Sequence, residues 1–249
     1  MRTKKRIIET IAFWFLLVTL VLSVIYAVTQ LVGAPMNIAG EEMESGKSDY
    51  VLMLIQCILG IVVMFLPSIL ERKFKIVVPS FMYILFFLFL YGAIYLGEIK
   101  SFYYEVPHWD VYLHSLSAMM LGTLGFSVVS LLNNTKRVKL QLSPLFVSVF
   151  AFCFALSIGA LWEIYEFTFD SLLGLNMQKF ILGDGTVLIG QEALMDTMKD
   201  LIVDACGALL VSLIGFFSLK GQQKWIQRVE MKRLSDLASE QEEDHLQKT

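Results

Sequence analysis

Charge is scarce in this chain. Charged residues make up 17% of its 249 positions, and the formal net charge is −3. A soluble domain carries about 25% charged residues. So small a net charge argues for neither a nucleic-acid partner nor an acidic substrate. Arginine is absent between Arg72 and Arg137 and again until Arg228, so no arginine-rich phosphate clamp is available there. The three cysteines, Cys57, Cys153 and Cys206, lie in apolar runs without a CxxC pair. That excludes a disulfide framework and the common zinc and redox motifs; small buried apolar residues need no further role. Neither GxSxG nor HExxH occurs, and there is no internal repeat or low-complexity tract.

Hydrophobic residues are abundant, at 56%, and mean hydropathy is +0.65. Six apolar runs are candidate spans, at about 7–32, 50–70, 77–96, 109–132, 144–169 and 193–219. Each is near or above the roughly 20 residues a helix needs to cross a bilayer. The first follows MRTKKR and is longer than the 7–15 residues of a signal h-region, so it reads as an uncleaved span. The expected fold is all-α: a polytopic membrane protein with a six-helix transmembrane domain over residues 1–221 and a polar tail over 222–249. That tail, around WIQRVEMKRLSDLASEQEEDH, is expected to be an amphipathic or solvated helix on the inner membrane surface.

Orientation follows from the basic residues. Sixteen of the 20 Lys and Arg fall before the first span, between the second and third, between the fourth and fifth, or after the sixth. Only Lys47, Lys100, Lys179 and Lys199 fall on the other side. The positive-inside rule then places both termini in the cytoplasm. The first outer loop, Gly33–Asp49, carries Glu41, Glu42 and Glu44 and reads as a solvated acidic loop. The third, about Ser171–Glu192, contains GDGTVLIG, a tight turn followed by a short strand or re-entrant piece. It reads equally as a lid or as a surface loop.

Three of the spans carry ionisable stripes. The fourth holds Asp110 and His114 in HWDVYLH, one helical turn apart. The fifth holds Glu163, Glu166 and Asp170 in WEIYEFTFD, and the sixth holds Asp196, Asp200 and Asp204 in DTMKDLIVD. Residues three or four apart share a helix face. Charges facing lipid cost several kcal/mol, so such stripes should face a bundle interior or a wet cavity. In an even topology all three sit at a similar outer depth. A single acid serves equally well as an interhelical hydrogen-bond partner, and Asp170 and Asp196, nearest the surface, serve as helix-end residues. The set points instead to one site built from Asp110, His114, Glu163, Glu166, Asp200 and Asp204.

So many carboxylates require compensation by protons, by protonated His108 or His114, or by a bound cation; Lys199 is the one nearby fixed positive charge expected. Carboxylates with imidazole suit Mn, Fe or Zn, and oxygen-only subsets suit Mg or Ca. A divalent cation (Mg, Mn or Zn) is the cofactor expected, with no other called for. Glu163 and His114 are the candidate general bases. The leading reading is an enzyme or binder taking a lipid headgroup or cell-envelope ligand, the enzyme being a metal-dependent hydrolase or transferase. The alternative is a proton- or cation-coupled transporter. Against transport, the inner halves of the spans carry almost no ionisable residues besides Glu9.

D-V-Y-L-H, W-E-I-Y-E and D-T-M-K-D-L-I-V-D-A-C-G-A resemble the YjdF-type family of bacterial inner-membrane proteins. More distantly they resemble VanZ-like membrane proteins, whose pattern runs D-x-x-x-H, a Glu-led motif, then D-x-x-x-N-x-x-G. Asp110 and His114 match the first element, Glu163 the second, and Asp200 and Gly207 the third; Asp204 stands where the VanZ-like pattern has Asn. The resemblance covers about Pro107–Leu210. It implies a bacterial plasma-membrane location and a six-helix bundle with an outer polar site, and it brings no established reaction.

Overall fold

The computed structural model describes residues 2–33, 46–133 and 142–221, with the backbone alone of residues 2–6 and 232–233. The acidic part of the first loop, the basic residues Lys136, Arg137 and Lys139, and nearly all of the tail lie outside the described residues.

Six helical stretches long and apolar enough to cross a membrane occur among the described residues. The first is α1 (Arg2–Gly33). The second is broken into α2 (Lys47–Val63) and α3 (Leu66–Phe74). An uninterrupted apolar run conceals this break. Pro67 has no N–H to offer an upstream carbonyl, so it is accommodated only where a helix begins anew. The third stretch opens as α4 (Ser80–Leu90) and continues as a π-helix, Tyr91–Ile99. A one-turn helix, α5 (Phe102–Glu105), precedes α6 (Trp109–Asn133).

The last two spans are α7 (Pro144–Leu173) and α8 (Gln191–Lys220). Ser143 caps α7 by accepting the Phe146 N–H at 3.2 Å, with Pro144 in the first turn. Gly174 ends α7 in a left-handed conformation at φ 65°, which a residue without Cβ adopts without strain. Strand β1 (Ile76–Val77) pairs antiparallel with β2 (Lys232–Arg233). At these two residues the tail is therefore extended, and the helix expected across it is interrupted. The backbone ladder returns the tail to the basic turn after α3.

Two packing units result. In one, α1, α2, α4 and the π-helix close around Leu16, Leu20, Cys57, Phe87, Leu90 and Ile94. In the other, α6, α7 and α8 each pack on the other two. Close approach sets that second unit. A Cβ at position 125 would stand 2.8 Å from the Ala151 Cα, and one at 207 would stand 3.0 Å from the Ala118 Cβ. Glycine at both positions lets α6 meet α7 and α8 at short range. Outward-facing Trp14, Leu22, Leu161, Ile164, Ile202 and Phe217 are exposed, as lipid-facing side chains would be.

The connection between α7 and α8 divides into two parts. Leu175 and Met177 are buried against Leu52 of α2, with Tyr165 and Phe169 alongside. This first part is a plug between the two units. The second part is a small hairpin, with Ile181 bridging Val187 and the Leu182 N–H donating to the Thr186 carbonyl at 2.9 Å. Of the turn and short strand expected here the hairpin is the counterpart, whereas the plug had no forerunner in the sequence.

Candidate functional site

His114 is the centre of the polar cluster. It projects from the second turn of α6 and is 8% exposed. Its Nδ1 lies 3.2 Å from Asp204 Oδ1 of α8, the only hydrogen-bonding distance the ring makes among the described residues. Its Nε2 faces three other carboxylates: Asp110 Oδ1 at 3.7 Å, Glu163 Oε1 at 3.9 Å and Asp200 Oδ2 at 4.0 Å. All three helices of the second unit thus contribute to one locus. His114, Glu163 and Asp200 lie together there.

The distances carry chemical meaning. A nitrogen–oxygen hydrogen bond has a mode near 2.9–3.0 Å, so none of the three Nε2 separations is a hydrogen bond. One ligand atom from each of Asp110, His114 and Asp200 can be chosen so that all lie within 4.8 Å of one another. Ligands about 2.1 Å from a tetrahedral ion stand roughly 3.4 Å apart. The separations around Nε2 exceed that spacing by a few tenths of an ångström, close to what a shared ion would require.

The acids differ in how they are satisfied. Among the described residues, both oxygens of Glu163 and Oδ2 of Asp204 are buried and accept no hydrogen bond. Unpaired polar atoms of this kind are costly. Gly159 makes room for one of them: a Cβ there would collide with the Asp204 carboxylate. Asp170 is fully employed elsewhere, accepting the Met177 N–H at 2.8 Å and the Gln178 N–H at 2.9 Å. It folds the plug back onto α7 and is a loop-organising residue. Asp196 and Glu166 are half-buried beside the cluster. Glu166 lies within electrostatic range of Glu163, Asp110 and Lys179. His108 is exposed, in a turn at φ 61°.

One expectation is corrected. Lys199 is exposed on α8, next in sequence to buried Asp200, so it stays outside the buried cluster. Lys179 enters it from the plug. Its Nζ lies 3.6 Å from Glu98 Oε1 of the π-helix, with the two side chains 15% and 8% exposed. The ammonium also stands over the rings of Tyr103, at 4.6 Å, and Tyr104, at 5.5 Å. Burial opposes the charged form of Lys179, but Glu98, then Tyr104, Glu166 and Asp110, hold its pKa above the ordinary lysine value. Burial, followed by the charges of Asp110 and Glu98, pushes the Tyr103 phenol well up.

Sequence reasoning missed Glu98 and Lys179. The available signal was a lone acid near the end of an apolar span, in YLGEIK, and one of only four lysines outside the basic segments.

Residues 11–221 match the family described as Predicted membrane protein (DUF2238). The chain belongs to that family. It is also similar to an uncharacterised protein of Thermotoga maritima, 28% identical over 131 residues, an alignment that spans 52% of this chain and 59% of the relative. No solved structure matches the chain.

Proposed function

We propose that this member of the DUF2238 membrane-protein family carries a divalent-cation site built from Asp110, His114 and Asp200, with Glu163 poised at its open side. The observation that carries the reading is the pair of environments around one imidazole. In this reading Asp204 Oδ1, 3.2 Å away, accepts from Nδ1, and the tautomer leaves the Nε2 lone pair free. Nε2 then faces three carboxylates too distant to be hydrogen-bonded and spaced to share an ion. A carboxylate that orients a ligating histidine is the usual outer partner in metal sites. Imidazole with carboxylates suits Mn or Zn best, with Mg as the oxygen-rich alternative. Glu166 stands near enough to complete the shell or to hold a bound water.

Within this reading Glu163 is the base. Its oxygens accept no hydrogen bond within bonding distance among the described residues, so a water on the cation would be the group it accepts a proton from. The chemistry is that of a hydrolase or transferase. Asp110 is the most open ligand, with a side chain 26% exposed. It lies at the end of the bundle opposite the basic turn after α3. If the basic end is cytoplasmic, as the positive-inside rule holds, the site faces the outer leaflet of a bacterial plasma membrane. The ligand is then a lipid headgroup or a lipid-linked cell-envelope precursor.

Melting of the detergent-purified chain tests the cation site. EDTA-treated wild type is compared with protein given Mg, Mn or Zn, beside Glu163→Gln and Asp200→Asn. An ion that binds only the folded state adds about 2.7 kcal/mol at 100 times its dissociation constant. Stabilisation of wild type that is lost in Asp200→Asn and reduced in Glu163→Gln is the expected result. Identical melts with and without every ion refute the site.

A further inference from the structure

The acidic cluster has a second positive charge at its edge, and it is tied back. Lys179 reaches from the plug between the two packing units, and its ammonium is engaged by three groups. Glu98 Oε1 lies 3.6 Å away, the Asn176 carbonyl accepts from it at 3.4 Å, and the Tyr103 ring lies beneath it at 4.6 Å. The backbone that carries it is held independently. Asn176 donates to the Ile181 carbonyl at 2.7 Å and accepts the Ile181 N–H at 2.9 Å, while Asp170 accepts two N–H groups just before Lys179. Leu175 and Met177 anchor the same segment in apolar contacts. The plug therefore does not need the lysine to stay in place.

A buried ammonium this close to carboxylates is a competitor for any metal that binds them. Both are cations, and each raises the electrostatic potential at the other's position, which disfavours binding. The direction in which the ammonium points then matters. Glu98 belongs to the π-helix of the first unit, whereas the ligands belong to the second. Pairing with Glu98 draws the charge toward the first unit. Without Glu98, the acids that act most strongly on Lys179 are Glu166 and Asp110. Asp110 is one of the ligands.

We propose that Lys179 sets the affinity of the acidic site for its cation, and that Glu98 holds the lysine charge away from the ligands. This deepens the cation-site reading and rests on it. It makes an unusual requirement of an ion pair: removing either partner must act on cation binding with opposite sign. Lys179→Met removes a competing charge and tightens binding. Glu98→Gln frees the ammonium toward Asp110 and weakens binding. A latch that merely holds the plug would weaken the site from both sides.

The test is binding of Mn2+ alone, and separately of Zn2+ alone, to the full chain in detergent by titration calorimetry. The expected shifts are at least about tenfold in each direction, since one charge several ångströms away at an effective dielectric near 20 changes an equilibrium by more than that. Lys179→Arg keeps the charge and should bind as wild type does. The double variant Glu98→Gln/Lys179→Met removes both charges, so it leaves no unpaired buried ion and serves where a single variant melts early; its affinity should return to near the wild-type value. Lys199→Met, an exposed lysine beside Asp200 in the chain, should change little. If both single variants weaken binding, or Lys199→Met shifts it as far as Lys179→Met, the proposal is wrong while the cation site stands. If wild type binds neither ion, both fall.

Discussion

The two packing units solve the same problem with opposite contents. In the first, helices meet through Leu16, Leu20, Phe87 and Ile94, and Gly60 makes room for the Ile94 side chain. In the second, the corresponding service is done by Gly159 for the carboxylate of Asp204. One glycine admits a methyl group and the other admits a charge. In lipid, where apolar side chains gain nothing by leaving solvent, both units are held by close packing. The first admits one buried acid, Glu98 at its edge, whereas the second gathers several around one histidine. Buried Asp200, Asp204, Glu163 and His114 make the interior of the second unit polar where that of the first is mainly apolar.

Substitutions in each unit should separate these roles. The largest loss of stability is expected for Leu20→Ala, a fully buried side chain of the first unit. Leaving a cavity there should cost about 2–5 kcal/mol, while the stabilisation gained on adding Mn or Zn stays at its wild-type size. A coincident loss of the ion effect would join the two units into one cooperative element. Gly159→Ala comes next, at about 1–3 kcal/mol from overpacking. It should also abolish the ion response, because the Asp204 carboxylate is displaced from His114. Gly60→Ala should cost less, since the atom it meets is the flexible end of Ile94. Equal costs for the two glycines would remove the distinction drawn between the units.

Asp204→Asn should leave the ion-free melt close to wild type yet weaken cation binding by about 10–100-fold, the usual effect of losing an outer partner of a ligating histidine. Trp109→Phe probes the seam between the units. It removes the indole N–H donated to the Gly92 carbonyl at 3.2 Å, a loss of about 0.5–1.5 kcal/mol in the melt. The smallest effect concerns pH. The folded-state pKa of Lys179 is raised, so its contribution is complete below the ordinary lysine value and is lost only as pH rises through the higher folded value. The difference in melting between wild type and Lys179→Met should therefore be constant from about pH 6 to about pH 9. A difference that shrinks within that interval would show the ammonium to be less well paired than the structure has it.

The stripes on α6, α7 and α8 were legible because helical spacing is a local property. Asp110 and His114 share a face whatever surrounds them, and so do Asp200 and Asp204. The contact between His114 and Asp204 spans 90 residues of chain and could only be expected as a class. The break at Pro67 and the π-helix at Tyr91–Ile99 were not legible: both lie inside unbroken apolar runs, and composition does not distinguish a π turn from an α turn. Glu98 and Lys179 were overlooked for a related reason. Each is a solitary ionisable residue in its own segment, and only their meeting gives either a meaning.

Hydropathy sums along the chain, so the number of spans and their apolar faces are properties of the residue order alone. The same holds for the three acidic stripes, which repeat at helical intervals. Rotation of one helix against another is different in kind. It depends on how closely α6 approaches α7 and α8 at Gly125 and Gly207, and on the space left at Gly159. That rotation turns Asp204 toward Nδ1 and leaves Nε2 among Asp110, Glu163 and Asp200. It also employs Asp170 in holding a loop and selects Lys179 over Lys199 as the cation at the site. Such choices are made by packing at the scale of a methyl group, which no pattern of polar and apolar letters encodes.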